Sequence, residues 1–168
     1  MELITSLKKP TGFFDPSNPE GRGSKDLTKN EDEDKVVTTE KAARSLRSPM
    51  LSFSNTDMAF RDDLLVAGSY HGFNMYKIDK DGIPNLLSSI VCPGGQGDVS
   101  IVGDLLIMSV EQLRGRLDCG REGVGRDASP ERCRGIRMLD ISDLSRPKQV
   151  GDVERCRGLH TNAGESGV

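Results

Sequence analysis

From position 52 onward, short apolar runs alternate with clusters of Asp, Gly, Ser and Pro at a spacing of about ten residues, the texture of β-strands joined by turns. The pattern predicts strands at 56–60, 64–68, 73–78 and 86–91. Arg61-Asp-Asp63, Tyr70-His-Gly72 and Asp79-Lys-Asp-Gly-Ile-Pro84 turn the chain between them, since Asp bonds back to its own backbone and Gly accepts positive φ. A second series is predicted at 98–102, 105–110, 136–141 and 149–154. Leu64-Leu65-Val66 and Ile90-Val91 are apolar on both faces, which fits sheets covered on both sides.

The two series are copies of one another. Asp57-Met-Ala-Phe-Arg-Asp-Asp-Leu-Leu-Val-Ala-Gly68 aligns without a gap on Asp98-Val-Ser-Ile-Val-Gly-Asp-Leu-Leu-Ile-Met-Ser109, an offset of 41. Gly72-Phe-Asn-Met-Tyr-Lys-Ile-Asp79 then matches Gly135-Ile-Arg-Met-Leu-Asp-Ile-Ser142 at an offset of 63, with Pro84 on Pro147. The change of offset marks an insertion in the second copy at about 111–134. A period of roughly 40 to 50 residues is the size of one propeller blade, a four-stranded antiparallel sheet. The expected fold is therefore all-β, a partial β-propeller of two four-stranded antiparallel blades (52–92 and 93–158), with 159–168 the broken start of a third repeat.

Residues 1–51 are different material, an extended or disordered leader. Pro10, Gly12, Pro16, Pro19, Gly21 and Gly23 punctuate it, and Asn30-Glu-Asp-Glu-Asp-Lys35 adds a short acidic run, so it buries little apolar surface. Only 38–46, ahead of Pro49, has the composition of a short helix.

Gly135-Ile-Arg-Met-Leu-Asp-Ile-Ser-Asp143 with Pro147 resembles the LVIVD-repeat proteins, bacterial β-propellers whose blades each carry a Gly-(Leu/Val)-x-(Val/Ile)-x-Asp-(Ile/Val)-Ser-Asp-Pro strand. The likeness covers about two blades, and the first departs from it where Tyr76-Lys-Ile-Asp-Lys80 replaces the Asp-Ile-Ser-Asp pattern. It implies an exported or surface-associated protein, periplasmic, surface-bound or secreted. It also implies that the chain is a truncated piece of a longer parent whose remaining blades would be its partners. The chain itself carries no signal peptide: the segment Met1-Glu-Leu-Ile-Thr-Ser-Leu-Lys-Lys-Pro10 lacks the 7–15-residue apolar run of one.

The net charge of −3 leaves no electrostatic footprint for nucleic acid, and no run approaches the ~18 apolar residues of a membrane span. Candidate chemistry is sparse. Asp57 and Asp98 recur at the start of the innermost strand of each unit, with Gln96 just before the second. Such carboxylates either line the central channel and hold a divalent cation such as calcium, or bond neighbouring backbone amides. The insertion is rich in arginine, and Arg114 and Arg116 are candidates for bidentate recognition of a carboxylate, sulfate or phosphate; the alternative is a charge-balanced solvated loop. Cys119 and Cys133 bracket the insertion and could close a disulfide in an oxidising compartment, or stay free thiols. Cys92 and Cys156 occupy equivalent places in neighbouring units, too far apart to bond each other.

The expected function is a non-enzymatic LVIVD-type scaffold that binds a protein or small-molecule ligand through loops on one rim, with no cofactor. The alternative is a propeller hydrolase with a divalent cation in its channel, for which no catalytic residue is assigned.

Overall fold

The computed structural model describes residues 3–10, 12–13, 55–112, 115–121, 124 and 129–154. The short helix expected at 38–46, the acidic run, Arg114, Cys156 and the broken third repeat lie outside the described residues. The chain is all-β: two four-stranded antiparallel sheets, each a simple meander. The first runs β1 (Asn55–Arg61), β2 (Leu64–Ser69), β3 (Gly72–Ile78) and β4 (Pro84–Val91). The second runs β5 (Val99–Val102), β6 (Leu105–Val110), β7 (Gly135–Asp140) and β8 (Lys148–Glu154).

The repeat seen in the residues is also a repeat of backbone. The β1–β2 turn needs a left-handed residue and takes it at Asp62 (φ 50), while the equivalent β5–β6 turn takes it at Gly103 (φ 55). Gly72 and Gly135 open β3 and β7 at φ 133 and 135, a conformation side chains avoid. A Cβ on Gly72 would also sit 2.0 Å from the Ile90 carbonyl oxygen, so no larger residue fits without moving β4. Both sheets carry a bulge at the same place in the outer pair, between Met75 and Tyr76 and between Met138 and Leu139.

Alternation in the strands gives each sheet two faces. Cross-strand partners put Ala59, Val66 and Met75 on one face of the first sheet, with Leu64, Phe73 and Ile90. That face, the front, meets the back of the second sheet, made of Val99, Leu106, Met108 and Leu139. Together they form the core, in which Val66, Phe73, Met75, Leu106 and Met108 are all 0% exposed. The alignment shows why this matters: Leu106 and Met108 are the counterparts of Leu65 and Ala67, which lie on the back of the first sheet. The units therefore stack front to back rather than front to front like the halves of a symmetric sandwich.

The stack is closest at its inner strands, where β1 lies against β5. Three polar clasps cross this seam. Thr56 Oγ1 donates to the Gly97 carbonyl at 3.1 Å, the Val99 N–H donates to Asp57 Oδ2 at 3.1 Å, and Arg61 reaches both the Gly103 carbonyl and Asp104. Gly68 lets the seam close, since a Cβ there would lie 2.0 Å from the Gly97 carbonyl oxygen.

Candidate functional site

Three connections share one rim: Tyr70-His71 between β2 and β3, the 92–98 junction between the sheets, and the insertion between β6 and β7. They are tied to one another through backbone. The Cys92 N–H donates to the His71 carbonyl at 2.7 Å, and the Glu111 and Gln112 N–H groups donate to the Gly94 carbonyl at 3.0 and 2.9 Å.

The insertion leaves this rim as a short ladder. Leu117 N–H donates to the Glu131 carbonyl at 2.8 Å, Cys133 N–H donates to the Gly115 carbonyl at 2.9 Å, and Arg116 bridges Arg132. This ladder decides the sulfur chemistry. It holds Cys133 at the level of Gly115, while the chain turns at Cys119 (φ 60) and brings that sulfur to the junction. The disulfide is therefore Cys92–Cys119, with a Cα–Cα distance of 4.4 Å, and not the expected Cys119–Cys133; Cys133 is a free buried thiol. Burial pushes the Cys133 thiol pKa up, partly opposed by the Arg137 guanidinium.

Beneath the disulfide lies Arg137, 0% exposed. Its Nη1 contacts both Cys92 and Cys119 sulfurs, its Nη2 donates to the Arg116 carbonyl, and its Nε has no partner. Burial lowers its pKa; the nearby Cys133, Asp152 and Asp118 oppose that, and a guanidinium still stays charged. Asp152 is its cross-strand partner on β8. Sequence reasoning missed Arg137 and the role of Cys92. One signal was present: Arg137 alternates in phase with Leu139 and Ile141, so it belongs on the inward face of an otherwise apolar strand.

The residues expected to bind are distributed as follows. Arg116 gives Nε and Nη2 to Asp118 at 2.7 Å each and Nη1 to Glu131 at 2.8 Å, so its fork is occupied by the insertion's own carboxylates. Those bonds, with the Gly120 N–H, hold the Asp118 carboxyl far below the usual aspartate range. Asp57 spends a carboxylate oxygen on the Val99 amide across the seam, the structural role weighed beside the channel role. Asp98 is 8% exposed; its N–H donates to Ser109 Oγ at 3.0 Å, and Ser109 Oγ donates to the Gln96 carbonyl at 2.9 Å. Gln96 N–H in turn donates to Glu111 Oε1 at 3.3 Å. Tyr70 stands near this group: burial, then Glu111 and Asp98, raise its pKa. So Gln96, Asp98, Glu111 and Tyr70 come together at the rim, and Asp57 belongs to the seam. No group of three or more His, Cys, Asp or Glu side chains with metal-holding geometry occurs among the described residues.

In comparisons with family models, curated proteins and solved structures, nothing matches this chain.

A separate cleft of about 220 Å³ lies on the back of the first sheet. Leu7, Lys8, Lys9, Pro10 and Phe13 of the leader form one wall; Met58, Leu65, Ala67, Asn74 and Tyr76 form the other. Phe13, 2% exposed, anchors the segment, and burial lowers the Lys9 pKa. At this size the cleft falls short of the ~300–1,000 Å³ of small-molecule sites and reads as the seam under a strap. No helix among the described residues is long and apolar enough to cross a membrane.

Proposed function

We propose that this chain is a non-enzymatic binding scaffold of the LVIVD propeller type, working outside the cytoplasm and taking a protein or small-molecule ligand on the rim that carries the insertion. The observation that carries this reading is how firmly the insertion is held. A disulfide to the junction, the Arg137 guanidinium beneath it and the ladder between 115–117 and 131–133 fix these described parts of the insertion on the two-sheet body. Long loops on rigid scaffolds are where recognition residues sit, and ordering them before a ligand arrives removes part of the entropic cost of binding. The front-to-back stacking supports the blade reading, and a Cys92–Cys119 disulfide suits an oxidising compartment.

The competing hydrolase reading needs a divalent cation near Asp98. Calorimetric titration of the full chain with Ca²⁺ should give no saturable heat, and p-nitrophenyl acetate should hydrolyse no faster with protein than without it. Saturable Ca²⁺ binding that disappears in an Asp98→Ala variant, together with Ca²⁺-dependent ester hydrolysis, would replace the scaffold with the enzyme.

A further inference from the structure

The front of the first sheet is Ala59, Leu64, Val66, Phe73, Met75 and Ile90. The offsets of 41 and 63 carry these positions to Ser100, Leu105, Ile107, Ile136, Met138 and Val153, the front of the second sheet. Five of the six are apolar, as all six are in the first. Their surroundings differ. The first front is sealed against the next unit, with Val66, Phe73 and Met75 at 0% exposure. On the second front Leu105, Ile107, Ile136 and Met138 are half-buried and Val153 is 46% exposed.

We propose that the front of the second sheet docks on the back of the first sheet of another copy of this chain, head to tail, repeating between molecules the joint that holds the two units together within one. The internal joint names the occupant. A front of this composition, in this register, already buries a back made of Val99, Ile101, Leu106, Met108 and Leu139. Met58, Phe60, Leu65, Ala67 and Tyr76 hold the same register positions on the back of the first sheet. That back is apolar and only partly covered, with Met58 and Phe60 each 59% exposed. Among the described residues, the two incompletely covered faces of one molecule are thus complementary to each other and not each to itself. Such a contact is heterologous, and it extends into a chain or closes into a ring according to its rotation.

Two features make the contact between copies weaker than the joint within one. Of the three clasping side chains, Asp57 is matched by Asp98, but Thr56 and Arg61 are replaced by Gly97 and Val102. The leader also lies on the receiving back through Leu7, Pro10 and Phe13, so it competes in cis, and affinity scales with the fraction of molecules in which it is displaced. The pairing rests on the same blade-like reading of the sheets as the proposed function, but not on any ligand.

Sedimentation velocity of the full chain tests it. Val153→Glu alters the free front and Met58→Glu the free back, both at exposed positions; Met138→Lys and Phe60→Glu are second choices, and circular dichroism confirms folding. Wild-type protein should associate as its concentration is raised to about 1 mM, and Phe13→Ala should lower the concentration required by about tenfold. Each charged variant alone should stay monomeric, and an equimolar mixture of the two should form a 1:1 pair and nothing larger. A wild-type chain that stays monomeric throughout overturns the proposal. So does a back variant that still self-associates, which would mean front-to-front pairing, or a front variant that does. Either result leaves the rim reading to its own titration.

Discussion

Asn74 and Arg137 occupy the same position in the two units, and so do their cross-strand partners Ser89 and Asp152. In the first unit the pair is neutral: Ser89 Oγ donates to Asn74 Oδ1 at 2.6 Å, and the leader lies over it. In the second the two residues are oppositely charged, but the guanidinium turns to the Arg116 carbonyl and the two sulfurs, and a disulfide-bonded insertion closes over it. One strand position thus receives opposite chemistry according to what covers it. A strap that rests on the back of a terminal sheet asks only for a compact polar spacer. A long loop that must be fixed between two sheets gets a five-donor side chain that reaches a backbone carbonyl and two sulfurs at once. The repeated part of each unit builds the stack, and the departures from the repeat mark where it has been adapted.

The strongest way to break the comparison is to make the same deletion in both units. Met75 and Met138 are equivalent front positions, the first 0% exposed and the second half-buried on an open face. Met75→Ala should destabilise by about 2–5 kcal/mol, because it opens a cavity in the seam between the sheets. Met138→Ala should cost less than about 1 kcal/mol, because solvent fills the space. Urea denaturation of the two variants, measured below the association range, checks this. Equal losses would mean that the second front is covered within the monomer.

The disulfide sharpens the contrast, since among the described residues it is the second unit's insertion that is tied back, through Cys119, to Cys92 at the end of the first unit. It links residues separated by 27 positions, and in the chain-entropy model a loop of that length contributes about 3.5 kcal/mol. Reduction, or a Cys92→Ser change, should lower global stability by up to that amount. The loss of amide-exchange protection should concentrate in 115–121 and 129–135, with β1 to β3 of the first unit changed least.

The fold was legible because it rests on local rules that the residues state twice. Alternation, Asp/Gly turns and two offsets located all eight strands to within a residue or two, from the first at Asn55–Arg61 to the last at Lys148–Glu154. What was not legible was non-local. Spacing along the chain offers Cys119 a bond to Cys133 or two free thiols, and is silent on Cys92 as a partner. The ladder between 115–117 and 131–133, and the left-handed Cys119, send that sulfur the other way. For Arg116 the residues leave open an anion-binding fork or a charge-balanced loop, and it takes the fold to show Asp118 and Glu131 occupying the fork. Phe13 gave no sign that it would bury itself against a sheet beginning more than forty residues later, since contacts between a leader and a β-face have no period to detect.

The smallest expected effect concerns the equivalent turns that follow the third strand of each unit. In the first, one carboxylate does the work: Asp79 accepts from the Asp81 and Ile83 N–H groups at 3.0 and 2.9 Å. In the second the role is divided, Asp140 accepting from the Ser142 N–H at 2.8 Å and Asp143 from the Ser145 N–H and hydroxyl at 3.0 and 2.6 Å. These bonds lower the pKa of all three aspartates, led by the backbone N–H of Ile83 for Asp79, that of Ser142 for Asp140, and the Ser145 hydroxyl for Asp143. A folded pKa below the unfolded value gives stability that is fully present above about pH 4, the unfolded aspartate range, and lost as pH falls through the folded values. Two carboxylates must be neutralised in the second turn and one in the first, so the acid loss there should involve about one more proton. Because all three groups are exposed, the effect is local. Amide exchange at Ile83 and at Ser142 and Ser145, followed from pH 5 downward, should show both turns loosening only below about pH 4, the second more steeply. An Asp143→Asn variant should make the two profiles alike, and if it does not, the extra steepness has another source.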